Sequence, residues 1–308
     1  MNALLTLLQK LEAQKNAPLA PFSTLKVGGR AGYFVVCQSE ADLGLLQVAC
    51  REHLTNIHII SGGSNTLFSD QGFDGVVIKL GPSFDYINLE NTGLNLSIGA
   101  ASSFAKVTKT AVGLGWAHAV GWSGTPGLIG GALRMNAGTR LGEIKDALAR
   151  IYGIQNGKSV IFEKKDLKFG YRHSDLPADL IITKADLAYD KSQLKPVSDL
   201  LKQVQEYRVK RKASQPSTAS AGSFFKNPYP HYAAQLIESC NIKGSSYKNA
   251  QISPVHANFI VNNGGATAED ILCIAGTAQK AVWDKFGVML KPEIRLVGTF
   301  GEDLQLCV

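Results

Sequence analysis

A short β-branched strand runs directly into a glycine-rich loop in the stretch Ile57-His58-Ile59-Ile60-Ser61-Gly62-Gly63-Ser64-Asn65. Glycine has no Cβ, so the backbone N–H groups of such a loop can approach a phosphate closely. No long helix is predicted after the loop, because residues 69–75 lead into another strand at 76–79. The Gly-x-Gly-x-x-Gly and Gly-Lys-Ser/Thr patterns are also missing, which argues against a Rossmann unit and a P-loop.

A second glycine-rich segment begins at Ser123-Gly124-Thr125-Pro126-Gly127 and continues through Gly130-Gly131 to Met135-Asn136-Ala137-Gly138. Two such segments in one chain indicate a ligand with an extended pyrophosphate. Thr125 is predicted to cap a helix over residues 127–134, with Pro126 at its first position. The positive end of that helix would then point at the ligand.

Composition narrows the class of protein. The chain has 308 residues, of which 45% are hydrophobic and 19% charged, which is typical of a globular protein with two or three lobes. The net charge is +7, but the densest basic run, residues 208–212, is short and has no interleaved aromatic residues. We therefore favour anionic small molecules over nucleic acid as the ligands.

Cysteine usage and hydropathy exclude several further classes. The five cysteines are far apart and form no Cys-x-x-Cys pair, so the sequence predicts neither a disulfide framework nor a zinc site. No other metal site is predicted. The N-terminus lacks a basic signal-peptide region, and no apolar run reaches the length of about 20 residues that a membrane helix needs. We expect a cytoplasmic protein without membrane contacts.

Strands and helices alternate along most of the chain. An amphipathic helix is predicted over residues 1–17, and Ser39 is predicted to cap a helix over 40–51. A charged helix over 196–212, with Ser198 as its cap, is followed by a small-residue loop at 213–222 that could join two domains. Later elements are a helix near 229–240, a strand at 258–261, a helix capped by Thr267 and a strand at 293–298.

Nine segments resemble the UDP-N-acetylenolpyruvoylglucosamine reductases (the MurB family), flavoenzymes of bacterial cell-wall synthesis. Three of them are glycine-rich: Gly62-Gly63-Ser64-Asn65-Thr66-Leu67, Ser123-Gly124-Thr125-Pro126-Gly127 and Met135-Asn136-Ala137-Gly138. The other six are Ser23-Thr24-Leu25-Lys26-Val27-Gly28-Gly29, Gly72-Phe73-Asp74-Gly75-Val76-Val77-Ile78, Phe169-Gly170-Tyr171-Arg172-His173-Ser174, Ser220-Ala221-Gly222-Ser223-Phe224-Phe225-Lys226-Asn227-Pro228, His256-Ala257-Asn258-Phe259-Ile260-Val261-Asn262 and Pro292-Glu293-Ile294-Arg295. One such segment would be a weak signal, whereas nine in the family's order make a specific match.

The resemblance implies an α+β protein: a two-lobed FAD-binding fold of the PCMH or vanillyl-alcohol-oxidase type, with a C-terminal α+β substrate-binding domain. We expect lobe 1 to comprise residues 1–77 and 292–308, because the family's C-terminal strand returns to the first lobe. Lobe 2 is expected at 78–200 and the substrate-binding domain at 201–291. This fold type agrees with the missing helix after the first glycine loop.

The resemblance also implies a reaction. The family reduces the enolpyruvyl double bond of UDP-N-acetylglucosamine enolpyruvate, a peptidoglycan precursor, to a lactyl ether. NADPH reduces FAD, and the reduced flavin passes hydride to the β-carbon. An enolate must then be stabilised, and the α-carbon needs a proton.

Three residues match the family's catalytic groups. Arg172, in Tyr-Arg-x-Ser, would hold the carboxylate or enolate, because its guanidinium is permanently charged and offers paired donors. Ser223 matches the proton donor and Glu293 the C-terminal glutamate. From the residues alone, a surface arginine, a turn serine and an edge-strand glutamate stay open as alternatives.

Further positions match ligand contacts of the family. The expected FAD contacts are Ser61, Gly62, Gly63, Ser64, Asn65, Thr66, Ser123, Gly124, Thr125, Pro126, Gly127, Gly130, Gly131, Asn136, Ala137, Gly138 and Tyr171. The expected substrate contacts are Lys226, Asn227, His256 and Asn258. His256 could equally be a hydrogen-bonded structural histidine.

The chain also departs from the family at three places in the expected substrate domain. Ser214-Gln215-Pro216 replaces Lys-Gln-Pro, Ala219 replaces a proline, and Lys248-Asn249-Ala250-Gln251 replaces Gly-Gly-Ala-Gln. The extra tyrosine-bearing insertion of the longer subtype is missing, so the chain resembles the short, type II form. These departures bear on UDP binding and leave the three catalytic positions intact.

Other functions remain open on the sequence. A sugar or alcohol oxidase of the same FAD fold often attaches FAD through histidine, but residues 61–68 contain neither histidine nor cysteine, so we expect non-covalent FAD. A non-catalytic binding protein is disfavoured by the intact catalytic positions. NADPH rather than NADH rests on the resemblance alone. A monomer is expected, although no residue pattern fixes the oligomeric state.

Overall fold

The computed structural model describes residues 3–301. The chain divides into two compact units, which are described separately. The first unit contains the residues up to Gln14, Phe34–Gly62 and Val76–Arg211, and the second contains Lys15–Tyr33, Gly63–Gly75 and the residues from Lys212 onward. The three-lobe division expected from the sequence stays a prediction.

The described residues form helices and short strands in an α+β arrangement. The helices are α1 (Ala3–Lys10), α2 (Glu40–Glu52), α3 (Phe104–Gly113), α4 (Ile129–Arg134), α5 (Val197–Ser214), α6 (Ala233–Ser239) and α7 (Ala268–Phe286). The strands are β1 (Gln14–Pro18), β2 (Arg30–Cys37), β3 (Asn56–Ile60), β4 (Thr66–Phe68), β5 (Phe73–Leu80), β6 (Ile87–Leu89), β7 (Asn95–Gly99), β8 (Gly138–Thr139), β9 (Gly142–Glu143), β10 (Leu148–Gln155), β11 (Lys158–Glu163), β12 (Phe169–Gly170), β13 (His173–Ser174), β14 (Ile181–Ala188), β15 (Ser220–Ser223), β16 (Ser246–Tyr247), β17 (Ala250–Ile252), β18 (Phe259–Asn262) and β19 (Arg295–Val297).

The first unit contains a five-stranded antiparallel sheet with the order β11-β10-β14-β7-β6. Ile98 lies opposite Ala185, which lies opposite Ile151, and all three side chains are buried. Side chains on a strand alternate between the two faces of a sheet, so this row marks the face that forms the core.

Helix α2 begins where the sequence predicts. The Ser39 hydroxyl accepts the backbone N–H of Asp42 at 3.1 Å, which satisfies one of the free donors of the first turn. Leu43, Leu46 and Cys50 share one face of the helix and are buried. Burial of this apolar face is what holds the helix in the first unit.

The first glycine loop has the predicted context. It connects β3 to the three-residue strand β4, with no helix between them. This is the observation that separates the chain from a Rossmann unit, in which a helix follows the loop.

Two predicted helices in the first unit are wrong in extent. The helix expected over residues 1–17 ends at Lys10 as α1, because Glu12 has a φ of +53°, outside the right-handed helical region. Its first two residues lie outside the described chain. Helix α4 begins at Ile129, so Thr125 and Pro126 precede it and do not cap it. Gly127 has a φ of +105°, which interrupts a helical backbone there.

The predictions around the domain junction also need correction. Helix α5 begins at Val197, directly after Pro196, so Ser198 lies inside the helix instead of capping it. The helix continues to Ser214, two residues into the expected loop. Helix α6 begins only at Ala233, because Tyr232 has an extended backbone.

The second unit is organised around a four-stranded antiparallel sheet, β15-β18-β17-β16, and a parallel pair, β19 with β4. Helix α7 has the predicted capping box, in which Thr267 and Asp270 bond each other's backbone N–H. The Asp70 carboxylate also accepts the N–H groups of Ala268 and Glu269, at 2.8 and 3.0 Å. These bonds attach the loop after β4 to the start of α7.

Burial makes two cysteine thiols unreactive. It raises the pKa of Cys37 to about 12, with a contribution from Asp42, and the pKa of Cys50 to about 11. Both are therefore protonated at neutral pH. Cys240 and Cys273 are also free thiols, and Cys307 lies outside the described residues. Between residues 3 and 301, no helix has the length and apolar composition to cross a bilayer.

Candidate active site

The two glycine-rich segments meet in the first unit. A Cβ added to Gly62 would lie 2.7 Å from the Cα of Gly127, so the two backbones touch at a distance that no side chain tolerates. A Cβ on Gly131 would lie 3.0 Å from the Ser61 hydroxyl. The structure thus brings together segments that are about sixty residues apart in sequence, as the resemblance implies.

Several buried polar atoms beside these segments have no hydrogen-bond partner. In the described part of the first unit they are Ser61 Oγ, His118 Nδ1, Trp122 Nε1, Ser123 Oγ and Asn136 Oδ1. Buried polar groups are almost always paired, so such a cluster indicates a ligand that completes the bonds. FAD offers both donors and acceptors, which suits a set that contains an acceptor (Asn136 Oδ1), a donor (Trp122 Nε1) and two hydroxyls that can do both.

The hairpin β12–β13 carries Tyr171 and Arg172 at its two-residue turn. Arg172 has a φ of +53°, whereas Tyr171 does not have a positive φ, and a left-handed residue at the second central position alone is the pattern of a type II turn. Its Nη1 donates to the carbonyl of Gly138 at 3.0 Å, and its guanidinium lies 5.3 Å from the Tyr171 ring centroid. The expected catalytic arginine is therefore attached to the end of the second glycine-rich segment.

Asn136 also connects the glycine-rich segment to the hairpin, and here the donor side chain belongs to the glycine-rich segment. Its Nδ2 donates to the carbonyl of Gly170 at 3.0 Å and to the Glu143 carboxylate at 2.9 Å. The residue is fully buried. The hairpin and the glycine-rich segment therefore hold one another through two side chains, those of Asn136 and Arg172.

In the second unit, Ser223 and Glu293 lie on neighbouring segments. Ser223 ends β15, opposite Phe259 of β18. The next carbonyl, that of Phe224, accepts the N–H of Glu293 at 2.8 Å, and Phe225 pairs with Pro292 in an antiparallel bridge. The fold thus brings together two of the three expected catalytic residues, which are seventy positions apart.

The expected substrate contacts also lie in this unit, and all four make hydrogen bonds within the protein. Asn258 holds Phe225, since its Oδ1 accepts the Phe225 N–H at 3.0 Å and its Nδ2 donates to the Phe225 carbonyl at 2.8 Å. Asn227 Oδ1 accepts the N–H of Ala233 at the start of α6. Lys226 is joined to Lys291 through its backbone N–H.

His256 accepts the backbone N–H of Asn258 at Nδ1, at 3.2 Å, and its ring lies edge-on to Phe259 at 4.7 Å. Burial, and then the nearby Lys243 ammonium, lower the pKa of His256 below its ordinary value. An imidazole that accepts a hydrogen bond at Nδ1 is neutral and carries its single proton on Nε2. This bond accounts for the structural role that the sequence left open for His256.

The remaining part of the first glycine loop belongs to the second unit. Gly63 has a φ of +60°, and its carbonyl accepts the N–H of Thr24 at 3.1 Å. A Cβ on Gly63 would overlap the carbonyl of Phe22. The Ser23 hydroxyl donates to the Thr66 carbonyl at 3.3 Å. The segment that begins at Ser23 therefore supports the loop directly.

Sequence reasoning missed Arg211 as a residue of the site. A Cβ on Gly124 would lie 3.0 Å from Arg211 Cδ, and Arg211 Nη1 lies 3.5 Å from the Ser123 carbonyl. In the sequence, Arg211 is distinguished only by its place in the basic run at the end of α5. The periodicity of a helix does not predict which loop its side chains contact. His118 and Trp122 were missed as well, because a lone histidine or tryptophan in an apolar stretch has no distinguishing pattern.

Comparison with known proteins places this geometry in a class. Residues 31–152 match the model of an FAD-binding domain, and residues 215–297 match the C-terminal domain of UDP-N-acetylenolpyruvoylglucosamine reductase. A PCMH-type FAD-binding domain followed by a reductase C-terminal domain defines an FAD-dependent oxidoreductase.

Whole-chain similarity then identifies the family. A UDP-N-acetylenolpyruvoylglucosamine reductase of Anaeromyxobacter sp. (strain K) is 37% identical over 96% of this chain and 88% of that protein. The reductase of Caldicellulosiruptor bescii is 35% identical over 94% and 92%. The crystal structure of the Thermus caldophilus reductase superposes with a TM-score of 0.79, at 31% identity over 92% of this chain and 98% of that one. The chain belongs to the UDP-N-acetylenolpyruvoylglucosamine reductase family, which confirms the resemblance.

Proposed function

We propose that the protein reduces UDP-N-acetylglucosamine enolpyruvate to UDP-N-acetylmuramate in peptidoglycan precursor synthesis, with NADPH as the source of electrons. The observation that carries the proposal is the pairing of the Ser223 and Glu293 segments in the second unit, in a chain of this family. Bound FAD would supply hydride to the β-carbon of the enolpyruvyl group. The α-carbon then needs one proton, which balances the reduction.

Ser223 is proposed as the donor of that proton. A serine hydroxyl is a weak acid, but an enolate is a strong base, so correct placement is enough for the transfer. Two features support the placement of Ser223. Its strand pairs with β18, and Asn258 holds the backbone of Phe225, two residues further on.

Arg172 is proposed to bind the carboxylate of the enolpyruvyl group and to stabilise the enolate that forms. Its guanidinium carries a permanent charge and suits a carboxylate. The bond to the Gly138 carbonyl supports this role, because it fixes the side chain before substrate arrives. Glu293 is proposed to orient the enolpyruvyl group or to assist its protonation, with its backbone held by Phe224.

The ligand contacts expected from the sequence remain part of the proposal. Lys226 would meet the diphosphate of the substrate as a positive charge, with Asn227, His256 and Asn258 shaping the same surface. The glycine-rich segments and Tyr171 would bind FAD without a covalent bond. Asn65 would contribute to this through its backbone N–H, because its side-chain Nδ2 is bonded to Glu293. We further propose a cytoplasmic monomer that prefers NADPH over NADH.

A two-stage spectroscopic experiment tests the function. The purified protein, loaded with FAD, is reduced by NADPH under anaerobic conditions and then mixed with the enolpyruvyl nucleotide. Bleaching of the flavin spectrum followed by rapid reoxidation is expected. Reduction of the flavin by a sugar or alcohol, with reoxidation only by oxygen, would favour an oxidase of the same fold. Flavin colour that remains in an acid precipitate would contradict non-covalent binding.

The Ser223→Ala variant tests the proton donor in the same assay. Reduction by NADPH is expected at the wild-type rate, whereas reoxidation by the enolpyruvyl nucleotide should slow by about 100- to 10,000-fold, the range for loss of a general acid. Ser220→Ala, on the same strand, is the matched control and should behave as wild type. Wild-type reoxidation in the Ser223 variant would refute the assignment.

A further inference from the structure

Asn65 belongs to the first glycine loop, and its side chain is bonded to the candidate catalytic segment. Asn65 Nδ2 donates to the backbone carbonyl of Glu293 at 3.0 Å, across a separation of 228 residues. The Asn65 carbonyl accepts the N–H of Arg295, also at 3.0 Å. Both partners lie in the second unit. The sequence predicts Asn65 as a cofactor contact, whereas these bonds connect it to Glu293.

The bond to Glu293 extends the β4–β19 ladder by one step. The parallel strands pair Thr66 with Arg295, Leu67 with Leu296 and Phe68 with Val297. In a parallel ladder, successive acceptors on one strand are two residues apart, so the next acceptor before Arg295 is the Glu293 carbonyl. Here the donor is the Asn65 side-chain amide, beyond the start of β4 at Thr66.

The backbone N–H of Glu293 is bonded as well as its carbonyl. The Glu293 N–H donates to the carbonyl of Phe224, directly after Ser223, and the Lys226 N–H donates to Lys291. The main chain of Glu293 is therefore held at both its N–H and its C=O. A residue whose peptide groups are fixed on both sides has a fixed backbone and a fixed Cα–Cβ direction, so the point from which its side chain extends is set.

We propose that Asn65 is a positioning residue for Glu293, which fixes the glutamate beside Ser223 and does not depend on cofactor contact for this role. The inference rests on the proposed function, because Glu293 acts in the step in which the substrate is protonated. Loss of the Asn65 amide would leave the glycine loop and its flavin contacts in place. It would allow the segment of Glu293 to shift, and shifts of this kind change a reaction rate strongly.

Separate measurement of the two half-reactions tests the proposal. In Asn65→Leu, which is similar in size but has no donor, FAD affinity and flavin reduction by NADPH should stay within about twofold of wild type. Reoxidation by the enolpyruvyl nucleotide should slow by about 10- to 100-fold. In the Glu293→Gln background, Asn65→Leu should add little, because both changes affect the same group. Asn65→Ala serves as the second variant if the leucine does not fold.

Asn262→Ala is the matched control. Asn262 is another asparagine of the second unit, buried where Asn65 is half-buried, and its amide donates to the Leu25 carbonyl at 2.9 Å, with no bond to the Glu293 segment. Hydrogen exchange of the peptide around Glu293 should accelerate in Asn65→Leu and not in Asn262→Ala. This readout requires no substrate, so it decides the role of Asn65 even if the enolpyruvyl nucleotide fails to reoxidise the wild-type protein, which would refute the proposed function.

Three results would overturn the inference. Weaker FAD binding with both half-reactions slowed together would make the Asn65 side chain a cofactor ligand. Unchanged exchange around Glu293 would show that the amide does not hold that segment. If reoxidation slowed equally in Asn262→Ala, the effect would come from a general loss of rigidity in the second unit and not from the bond between Asn65 and Glu293.

Discussion

The glycine-rich segments of the first unit and the Ser223–Glu293 segments of the second unit satisfy their polar groups in different ways. Beside the glycines, Ser61 Oγ, Ser123 Oγ and Asn136 Oδ1 are buried without partners. Around Ser223, the main chain of Glu293 is bonded at both ends, and Asn258 uses both ends of its amide. The first region has the properties of a site that a ligand completes, whereas the second holds its geometry by itself.

The largest effect on FAD binding is expected where the two glycine segments touch. In Gly62→Val, the new Cβ would lie 2.7 Å from the Gly127 Cα, so two backbones must separate. Overpacking of this kind costs about 1–3 kcal/mol, which corresponds to FAD binding weakened by about 10- to 100-fold. Flavin absorbance of the purified protein and titration with FAD measure the loss.

Gly113→Ala is the matched control for this change. Gly113 ends α3, and a Cβ there meets nothing within 4 Å, so FAD content should stay at the wild-type level. If Gly62→Val also retained its flavin, the contact between the two segments would not belong to the cofactor site, and the contrast between the two regions would lose its main support.

A smaller effect is expected for Ser123→Ala: the stability of the cofactor-free protein and the stabilisation produced by FAD should change in opposite directions. Removal of a buried hydroxyl without a partner should leave the cofactor-free protein as stable as wild type or up to about 1 kcal/mol more stable. The stabilisation produced by FAD should fall by about 1 kcal/mol, because the bond completed by the ligand is lost. Urea unfolding of Ser123→Ala with and without FAD measures both.

Ser174→Ala gives the comparison, because Ser174 is also buried in the first unit but donates to the Arg134 carbonyl at 2.9 Å. Its loss should destabilise the protein by about 1 kcal/mol in both states. A Ser123 variant that behaved like Ser174→Ala without FAD would show that the Ser123 hydroxyl has a protein partner.

Local patterns were enough to predict the features that local chemistry decides. The strand, loop and strand around Ser61–Asn65 followed from glycines and β-branched residues, and the caps at Ser39 and Thr267 followed from capping geometry. The cap at Thr125 failed because Gly127, which lies against Gly62, has a φ of +105° and no helix can pass through it. Sequence spacing carries no information on that contact.

In the candidate site, too, local motifs predicted some features, whereas others depend on long-range contacts. The family motifs indicated Arg172, Ser223 and Glu293 as separate positions, and their supporting bonds were not predictable. The amide of Asn65 reaches a carbonyl 228 residues away, and Arg211 reaches the Ser123 loop from the end of a polar helix. Side chains such as these are identified by the partner they bond, and only the folded chain supplies the partner.

The smallest effect is expected in the pH dependence of the unfolding free energy, through the buried His256 of the second unit. Burial and Lys243 lower the pKa of His256, with Glu238 in partial opposition. The unfolded chain therefore binds a proton at this imidazole at higher pH than the folded chain does. Stability should be unaffected by this residue above the ordinary histidine pKa of 6.5, and should fall as the pH drops below that value.

His256→Gln removes this proton linkage and can retain an acceptor for the Asn258 N–H. The difference in unfolding free energy between wild type and variant should therefore shift towards the variant when urea unfolding is moved from about pH 7.5 to about pH 5.5. His231→Gln, at an exposed histidine of the same unit, shows what loss of an imidazole does without burial. If His256→Gln left the pH dependence of wild type unchanged, the fold would not lower the pKa of His256.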